Sequence, residues 1–365
     1  MNFSGALNEC IIKNLVFAAY RLPHSDSVRL VIQKDNTIHK VNVTSDIFEE
    51  SGFLAVPFHE SEINYSFIIK PDLNYLSTDY IDFEDLINLN PFPEENPDFN
   101  NGKINKAEFL SNVEKIKAAI NEKKFEKAVI SRIKIIEKDY YDKITDIFML
   151  LTTSYPNAFV YMFNAAGHFW MGATPEPLIC SDKNQLTTVS LAGTRKYNPE
   201  NLNLPNWSKK ERIEQELVTL FIEESLKNLN IELTQKNGPY TKKAGNLVHL
   251  RTDFTFKLKG VKDKLGELVQ ELHPSSAVCG LPKVESMEFL LKIEKHNRSY
   301  YSGIVGPINL DEKIQLFVNL RCMRIFKKRL ILYIGAGITE ESVAEDEWAE
   351  TEIKSETLLS IIHKV

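Results

Sequence analysis

Residues 330–354 read Leu330-Ile-Leu-Tyr-Ile-Gly-Ala-Gly-Ile-Thr-Glu-Glu-Ser-Val-Ala-Glu-Asp-Glu-Trp-Ala-Glu-Thr-Glu-Ile-Lys354. The apolar run at the start predicts a buried strand. Gly335-Ala-Gly337 then predicts a turn where another group approaches the backbone closely. In the acidic segment that follows, Glu347, Glu350 and Lys354 have the spacing that places side chains on one helix face. Such an arrangement suits a metal and an anionic ligand, although a solvated acidic helix explains this stretch, taken alone, better.

The composition bounds the class of protein. With 365 residues, 43% hydrophobic and 26% charged, the chain is long enough for one large core or two moderate ones. A net charge of −6 gives no reason to expect binding to nucleic acid. Four widely spaced cysteines form no metal or disulfide pattern, and no apolar run reaches the length of a membrane span. We therefore expect a soluble, cytoplasmic protein without a membrane segment.

The rest of the chain predicts strands with helices inserted between groups of them. Residues 1–105 read as a strand-rich part that ends in a Pro- and Asn-rich linker over 88–105, and residues 106–365 read as the core. A helix is predicted to begin at Ser208. Tyr301–Ile308 and Ile314–Phe326 predict a long hairpin with an arginine inside its second strand. The predicted class is α+β, in one large unit.

Several polar residues are candidates for a site, each with an ordinary structural explanation beside it. Glu211 and Glu214 repeat the E-x-x-E spacing seen near the C-terminus, but acids are also favoured at a helix start. His249 lies on the polar face of an alternating strand, where most histidines only form structural hydrogen bonds. Arg321 needs an anionic partner if it is buried. Lys127 alone could be a solvated residue at a strand entrance.

Nine segments taken together resemble the chorismate-utilising enzymes, which comprise isochorismate, salicylate, anthranilate and aminodeoxychorismate synthases. In order they are Lys127-Ala-Val-Ile-Ser-Arg132, Gly172-Ala-Thr-Pro-Glu176, Leu191-Ala-Gly-Thr-Arg195, Glu211-Arg-Ile-Glu-Gln-Glu-Leu-Val218, Leu272-His-Pro…Gly280-Leu-Pro282, Tyr301-Ser-Gly-Ile-Val-Gly306, Leu320-Arg-Cys322, Gly335-Ala-Gly-Ile338 and Glu347-Trp-Ala-Glu-Thr351. The resemblance covers about residues 107–360. It implies a single domain of two facing antiparallel sheets flanked by helices.

The resemblance also implies a Mg²⁺ site and a grip on chorismate, a cyclohexadiene dicarboxylate. Glu214 and Glu347 are the implied direct metal ligands, and Glu211 and Glu350 act directly or through water. The implied substrate-binding residues are Gly193, Thr194, His249, Tyr301, Arg321, Gly337 and Lys354. Mg²⁺ prefers carboxylates and water, and an arginine suits a planar carboxylate, so the residue types agree with these roles.

The choice among family members rests on four positions. Lys127 occupies the position of the lysine that activates water in isochorismate and salicylate synthases, and Glu176 resembles the general acid on the far side of the ring. Ala192 stands where one type of aminodeoxychorismate synthase has a nucleophilic lysine. Ala277 stands where salicylate synthases tend to have threonine. Together these positions favour an isochorismate synthase.

This interpretation implies that the protein needs no amidotransferase subunit, acts as a monomer and feeds menaquinone or catecholate siderophore biosynthesis. Two alternatives stay open. A salicylate synthase would form isochorismate and then eliminate pyruvate. A catalytically inactive relative would bind chorismate or a partner protein without turning it over.

Overall fold

The computed structural model describes residues 1–92, 102–197, 207–244 and 247–365, which build two antiparallel sheets with helices on their outer faces. The helices are α1 Phe3–Ile12, α2 Glu84–Ile87, α3 Lys106–Asn121, α4 Ile144–Ser154, α5 Lys209–Asn228, α6 Leu265–Leu272, α7 Lys283–Ile293 and α8 Ala344–Ile362. The strands are β1 Phe17–Arg21, β2 Arg29–Ile32, β3 His39–Lys40, β4 Gly52–Val56, β5 Phe67–Ile69, β6 Leu73–Leu76, β7 Lys127–Ile136, β8 Phe159–Ala165, β9 His168–Thr174, β10 Pro177–Asp182, β11 Gln185–Lys196, β12 Leu233–Ala244, β13 Leu247–Lys257, β14 Gly280–Leu281, β15 Ile304–Leu310, β16 Lys313–Val318, β17 Cys322–Phe326 and β18 Arg329–Ile338.

Strands from distant parts of the chain alternate within each sheet. The first sheet has the order β14-β7-β18-β17-β9-β8-β1-β2-β6, and the second has the order β12-β13-β11-β10-β16-β15-β4-β5-β3. Residues 1–92 therefore supply three strands to each sheet, and the two predicted parts of the chain share both sheets. This arrangement confirms the predicted α+β class with two antiparallel sheets and flanking helices. Part of the predicted linker, residues 93–101, lies outside the described residues.

The side chains of β8 show how the layers form. Phe159, Tyr161 and Phe163 point into the core between the two sheets, whereas Val160 and Met162 point to the core under α1, α4 and α8. Successive side chains of a strand point to opposite faces, so an unbroken apolar run can be buried on both sides. Helices α5 and α6 cover the outer face of the second sheet in the same way. The result is a helix–sheet–sheet–helix sandwich.

Two predicted details are wrong. Gly335 and Gly337 do not form a turn, because they pair with Ser131 and Val129 inside β18 and the acidic helix begins only at Ala344. The predicted strand over residues 314–326 is two strands. Strand β16 belongs to the second sheet and β17 to the first, so the chain crosses between the sheets at residues 319–321, where Arg321 takes a φ of +49°.

Candidate active site

A cavity between the two sheets brings together most of the predicted site residues. Those that line it are Glu176, Gly193, Glu214, His249, Tyr301, Arg321, Gly337 and Lys354. They come from strands of both sheets, from α5 and α8, and from the loops between strands. Ala192 and Ala277, the two positions that separate members of the family in the sequence, also lie in its wall.

Lys127 is fully buried beside this cavity at the start of β7. Its Nζ lies 3.4 Å from Oε1 of Glu214 and has no hydrogen-bond partner in the described part of the chain. Burial lowers the pKa of Lys127, although the negative charges of Glu214 and Glu176 oppose this shift. Burial therefore weakens the hold of Nζ on its proton, which suits a group that takes part in proton transfer.

Glu176 lies just after β9, which pairs with β17, and its side chain is buried, with only 6% of the residue exposed. Its backbone is fixed, because its carbonyl accepts a hydrogen bond of 2.9 Å from the Val318 N–H. Burial raises the pKa of Glu176 to about 7, even though Arg321 and Lys127 act in the opposite direction. A carboxyl group that keeps its proton near neutral pH is suited to general acid catalysis.

Arg321, His249 and Gly193 form a hydrogen-bonded chain along the cavity. His249 Nδ1 lies 2.9 Å from the Gly193 carbonyl, which can only accept, so Nδ1 carries the proton. Nε2 is then the acceptor for Arg321 Nη2 at 3.3 Å. Burial and the charge of Arg321 lower the pKa of His249 to about 3, so this neutral tautomer is stable. No described carboxylate forms an ion pair with Arg321, which leaves its guanidinium available to an anionic ligand.

The two glycines of β18 make room for the reactive side chains. A Cβ on Gly337 would lie 2.5 Å from Oε1 of Glu214 and 3.3 Å from Cε of Lys127. A Cβ on Gly335 would lie 2.6 Å from the hydroxyl oxygen of Tyr301. Lys354 Nζ donates to the Gly335 carbonyl at 3.0 Å. The glycine pair is therefore required for close approach, as expected, but within a strand.

Three of the predicted metal ligands surround a lysine that the sequence analysis did not single out. Lys210 Nζ lies 2.5 Å from Oε1 of Glu347. Burial opposes its charge, but Glu347, Glu214 and Glu350 together raise the pKa of Lys210 above its usual value. Glu347 is 1% exposed, and burial together with Glu350 raises its pKa although Lys210 opposes this. Its Oε2 is buried and has no hydrogen-bond partner among the described residues.

Glu211, the fourth residue predicted to act on the metal directly or through water, is paired with Arg195 instead of with Lys210. Both of its carboxylate oxygens bind Arg195 at 2.6 Å, and Oε2 also accepts from the Ser208 N–H at 2.7 Å as part of a capping box at the start of α5. Within the described ranges, no three His, Cys, Asp or Glu side chains form a group arranged to hold a metal ion. The side chain of Thr194 lies outside the described part of the structure.

Sequence reasoning could have found Lys210 but not its partner. Lys210 lies four residues before Glu214 on α5, which is a recognisable helical pair. Its contact with Glu347 joins positions 137 apart, and no sequence pattern predicts that distance. Tyr333 was also missed. It stacks on Tyr301 with ring centroids 5.6 Å apart and lines the cavity, but in the sequence it is only one apolar member of a strand.

Comparisons with known proteins show the family to which the chain belongs. A family model described as "Chorismate binding enzyme" matches residues 75–363. The isochorismate synthase EntC of Escherichia coli is 30% identical over 203 residues, which cover 54% of this chain and 52% of that protein. Anthranilate synthase component 1 of Aquifex aeolicus is 24% identical over 91% of this chain and 67% of its own length. The chain thus spans about half the length of the curated isochorismate synthases that it matches.

A solved structure supports the fold. The crystal structure of a putative 2,3-dihydroxybenzoate-specific isochorismate synthase, DhbC from Bacillus anthracis, superposes with a TM-score of 0.77 at 21% identity. The match covers 99% of this chain and all of that chain. At this identity the likeness concerns the fold alone.

In the described part of the chain, no helix is both long enough and apolar enough to cross a membrane.

Proposed function

The chain belongs to the chorismate-binding enzyme family, and we propose that it converts chorismate to isochorismate. The observation that carries this proposal is the pairing of two perturbed groups beside one cavity. Burial lowers the pKa of Lys127 and raises the pKa of Glu176 to about 7. A base that is deprotonated and an acid that is protonated at the same pH are the two groups that this isomerisation needs.

In the proposed reaction, Lys127 Nζ takes a proton from a water molecule while the water oxygen bonds to a ring carbon. The ring double bonds shift, and the carbon–oxygen bond of the departing hydroxyl breaks. Glu176 gives its proton to that hydroxyl, which leaves as water. One water enters and one leaves, so the substrate and the product are isomers. Proton exchange with solvent returns Lys127 to the amine and Glu176 to the acid.

Binding of the dicarboxylate rests on the cationic side of the cavity. Arg321 has no described carboxylate partner and is oriented through His249, so its guanidinium is fixed before an anion arrives. A preoriented guanidinium can bind a carboxylate through two parallel hydrogen bonds. Lys354 adds a second positive charge, held between Glu350 at 2.6 Å and the Gly335 carbonyl. We propose that these groups hold the substrate while Lys127 and Glu176 act on the ring.

We further propose that Mg²⁺ is the cofactor and that Glu214, Glu347 and Glu350 hold it. The buried Oε2 of Glu347, which has no hydrogen-bond partner among the described residues, supports this assignment, as does the preference of Mg²⁺ for carboxylate oxygens. When bound, the ion would neutralise the glutamates and offer a positive charge to a substrate carboxylate. Lys210 supplies a positive charge to the same glutamates in this structure, so its ammonium has to withdraw from Glu347 when the ion binds.

Two further observations bear on which product forms. Ala192 lines the cavity and provides no nucleophile, and Ala277 places a methyl group where a salicylate synthase tends to have a hydroxyl. Both favour a reaction that stops at isochorismate. We propose that the protein acts in the cytoplasm without an amidotransferase subunit. Its product would feed either menaquinone or catecholate siderophore biosynthesis, because both pathways start from isochorismate and the site residues do not distinguish them.

Product analysis tests this proposal. Purified protein is incubated with chorismate and Mg²⁺, without ammonium, glutamine or a second protein, and the products are separated by liquid chromatography. We expect isochorismate in equilibrium with chorismate. Salicylate with an equal amount of pyruvate would identify a salicylate synthase instead. Anthranilate formed only after ammonium is added would contradict the role of Lys127, and no conversion under any of these conditions would favour an inactive relative.

A further inference from the structure

A second cavity, of about 620 Å³, lies on the other side of Tyr333 from the candidate active site. Its polar wall contains Arg324, His168 and His296, and its apolar wall includes Phe58 and Leu291. Arg324 lies opposite Trp170 in β9 and Ile331 in β18, which both pack in the core between the sheets. Its side chain therefore enters the sandwich from the inner face, where a charge is costly.

Among the described residues, Arg324 is a buried arginine that has neither an acidic partner nor the set of backbone acceptors that other buried arginines have. It is 6% exposed, its Nε forms no hydrogen bond with any described residue, and its Nη2 makes a long contact of 3.3 Å with the Gly167 carbonyl. Arg298 binds Glu294, and Arg21 donates to five backbone carbonyls. Within the described ranges, Arg324 forms no ion pair. A buried guanidinium in this state lacks an anion that would stabilise it.

The two histidines define what else a ligand must offer. Ser131 Oγ donates its only proton to Glu294 Oε1 at 2.9 Å, so it accepts from His296 Nε2 at 2.8 Å. Burial lowers the pKa of His296 to about 4, so this ring is neutral and Nδ1 is an acceptor. That Nδ1 is buried and has no hydrogen-bond partner in the described part of the chain, and the same holds for Nδ1 of His168, which is 5% exposed.

We propose that this second cavity is a binding site for a small organic anion that carries a hydrogen-bond donor beside its carboxylate, such as an ortho-hydroxylated aromatic acid. Arg324 would bind the carboxylate, His296 Nδ1 would accept the hydroxyl proton, and Phe58 would contact the apolar ring. The site is separate from the one assigned to chorismate, because Arg321 lines the first cavity and Arg324 lines the second. It does not depend on which reaction the enzyme catalyses.

Salicylate is the probe for this site, and benzoate and inorganic phosphate are the comparison ligands. Titration calorimetry and thermal unfolding are measured on the full chain, on Arg324→Met and on Arg321→Met, which removes the guanidinium of the other cavity. We expect salicylate to bind and raise Tm in the full chain and in Arg321→Met. In Arg324→Met, the loss of the charged hydrogen bonds should weaken salicylate binding roughly tenfold or more. Benzoate lacks the hydroxyl donor and should bind more weakly than salicylate.

Chorismate turnover serves as an independent reading, because Arg324→Met should leave it unchanged. A second variant, Leu291→Trp, places bulk at the cavity mouth from a position that is 49% exposed, and it should also abolish salicylate binding while the fold is kept. The proposal fails if salicylate does not bind at millimolar concentration, or if only Arg321→Met abolishes its binding. It also fails if phosphate or benzoate stabilises the protein as well as salicylate does.

Discussion

Replacing Glu176 by glutamine should stabilise the protein at alkaline pH and abolish its activity. Burial raises the pKa of Glu176 from its ordinary 4.5 to about 7. The folded state therefore holds a proton that the unfolded state releases between these two values, and stability falls as pH rises through this window. Above pH 7 the ionised carboxylate costs the folded state about 3 kcal/mol, which Glu176→Gln would remove.

The assay is urea unfolding of the parent protein and of Glu176→Gln at several pH values from 5 to 8. Glu232→Gln is the matched control, because Glu232 is exposed. We expect the difference in unfolding free energy between Glu176→Gln and the parent to grow in favour of the variant as pH rises. The control should show no such trend. A difference for Glu176→Gln that stays constant over this range would refute the assignment of Glu176 as a protonated acid.

Three further predictions follow from the contacts of the site. Lys127→Met should lower kcat by about 100-fold or more, because the base is lost, while KM should change little, because Arg321 is kept. Steady-state kinetics measure both constants, and a changed KM with an unchanged kcat would contradict this role of Lys127. Gly337→Ala should lower kcat/KM by about a hundredfold, because its Cβ would displace Glu214 and Lys127. Gly260→Ala is the matched control and should keep full activity, because its Cβ would meet no described atom within 4 Å. Lys210→Met should lower Tm in the absence of metal. Calorimetry should show that this variant binds Mg²⁺ about tenfold more tightly than the parent, because the ammonium no longer competes for Glu347. Equal Mg²⁺ affinity in parent and variant would show that the ion does not bind at these glutamates.

The parts of the fold that could be predicted from sequence were those governed by local pattern. The apolar run at residues 330–334 lies inside β18, and the helix predicted from Ser208 is present with its capping box. The turn predicted at Gly335 and Gly337 was wrong because the reason for these glycines is not local. Side chains of Tyr301 and Glu214 occupy the space that a Cβ would fill, and both come from distant elements.

The same distinction applies to the site. The motifs predicted which residues would line one cavity, and the structure places Lys127, Glu176, Glu214, His249 and Arg321 around it. A carboxylate that has two basic residues within reach can pair with either of them. The sequence alone therefore could not show that Glu211 binds Arg195 or that Lys210 binds Glu347. The break between β16 and β17 was missed because residues 314–326 are mostly apolar and read as one strand, although the chain crosses to the other sheet at residues 319–321.

The most direct test of the central claim is isotope incorporation from water. The enzyme is incubated with chorismate and Mg²⁺ in H₂¹⁸O, and the mass of isochorismate is measured at an early time point. If Lys127 activates water for addition to the ring, the product carries one ¹⁸O in its ring hydroxyl, and Lys127→Met forms little of it. Isochorismate without ¹⁸O would mean that the hydroxyl migrates within the substrate, and it would contradict the role assigned to Lys127.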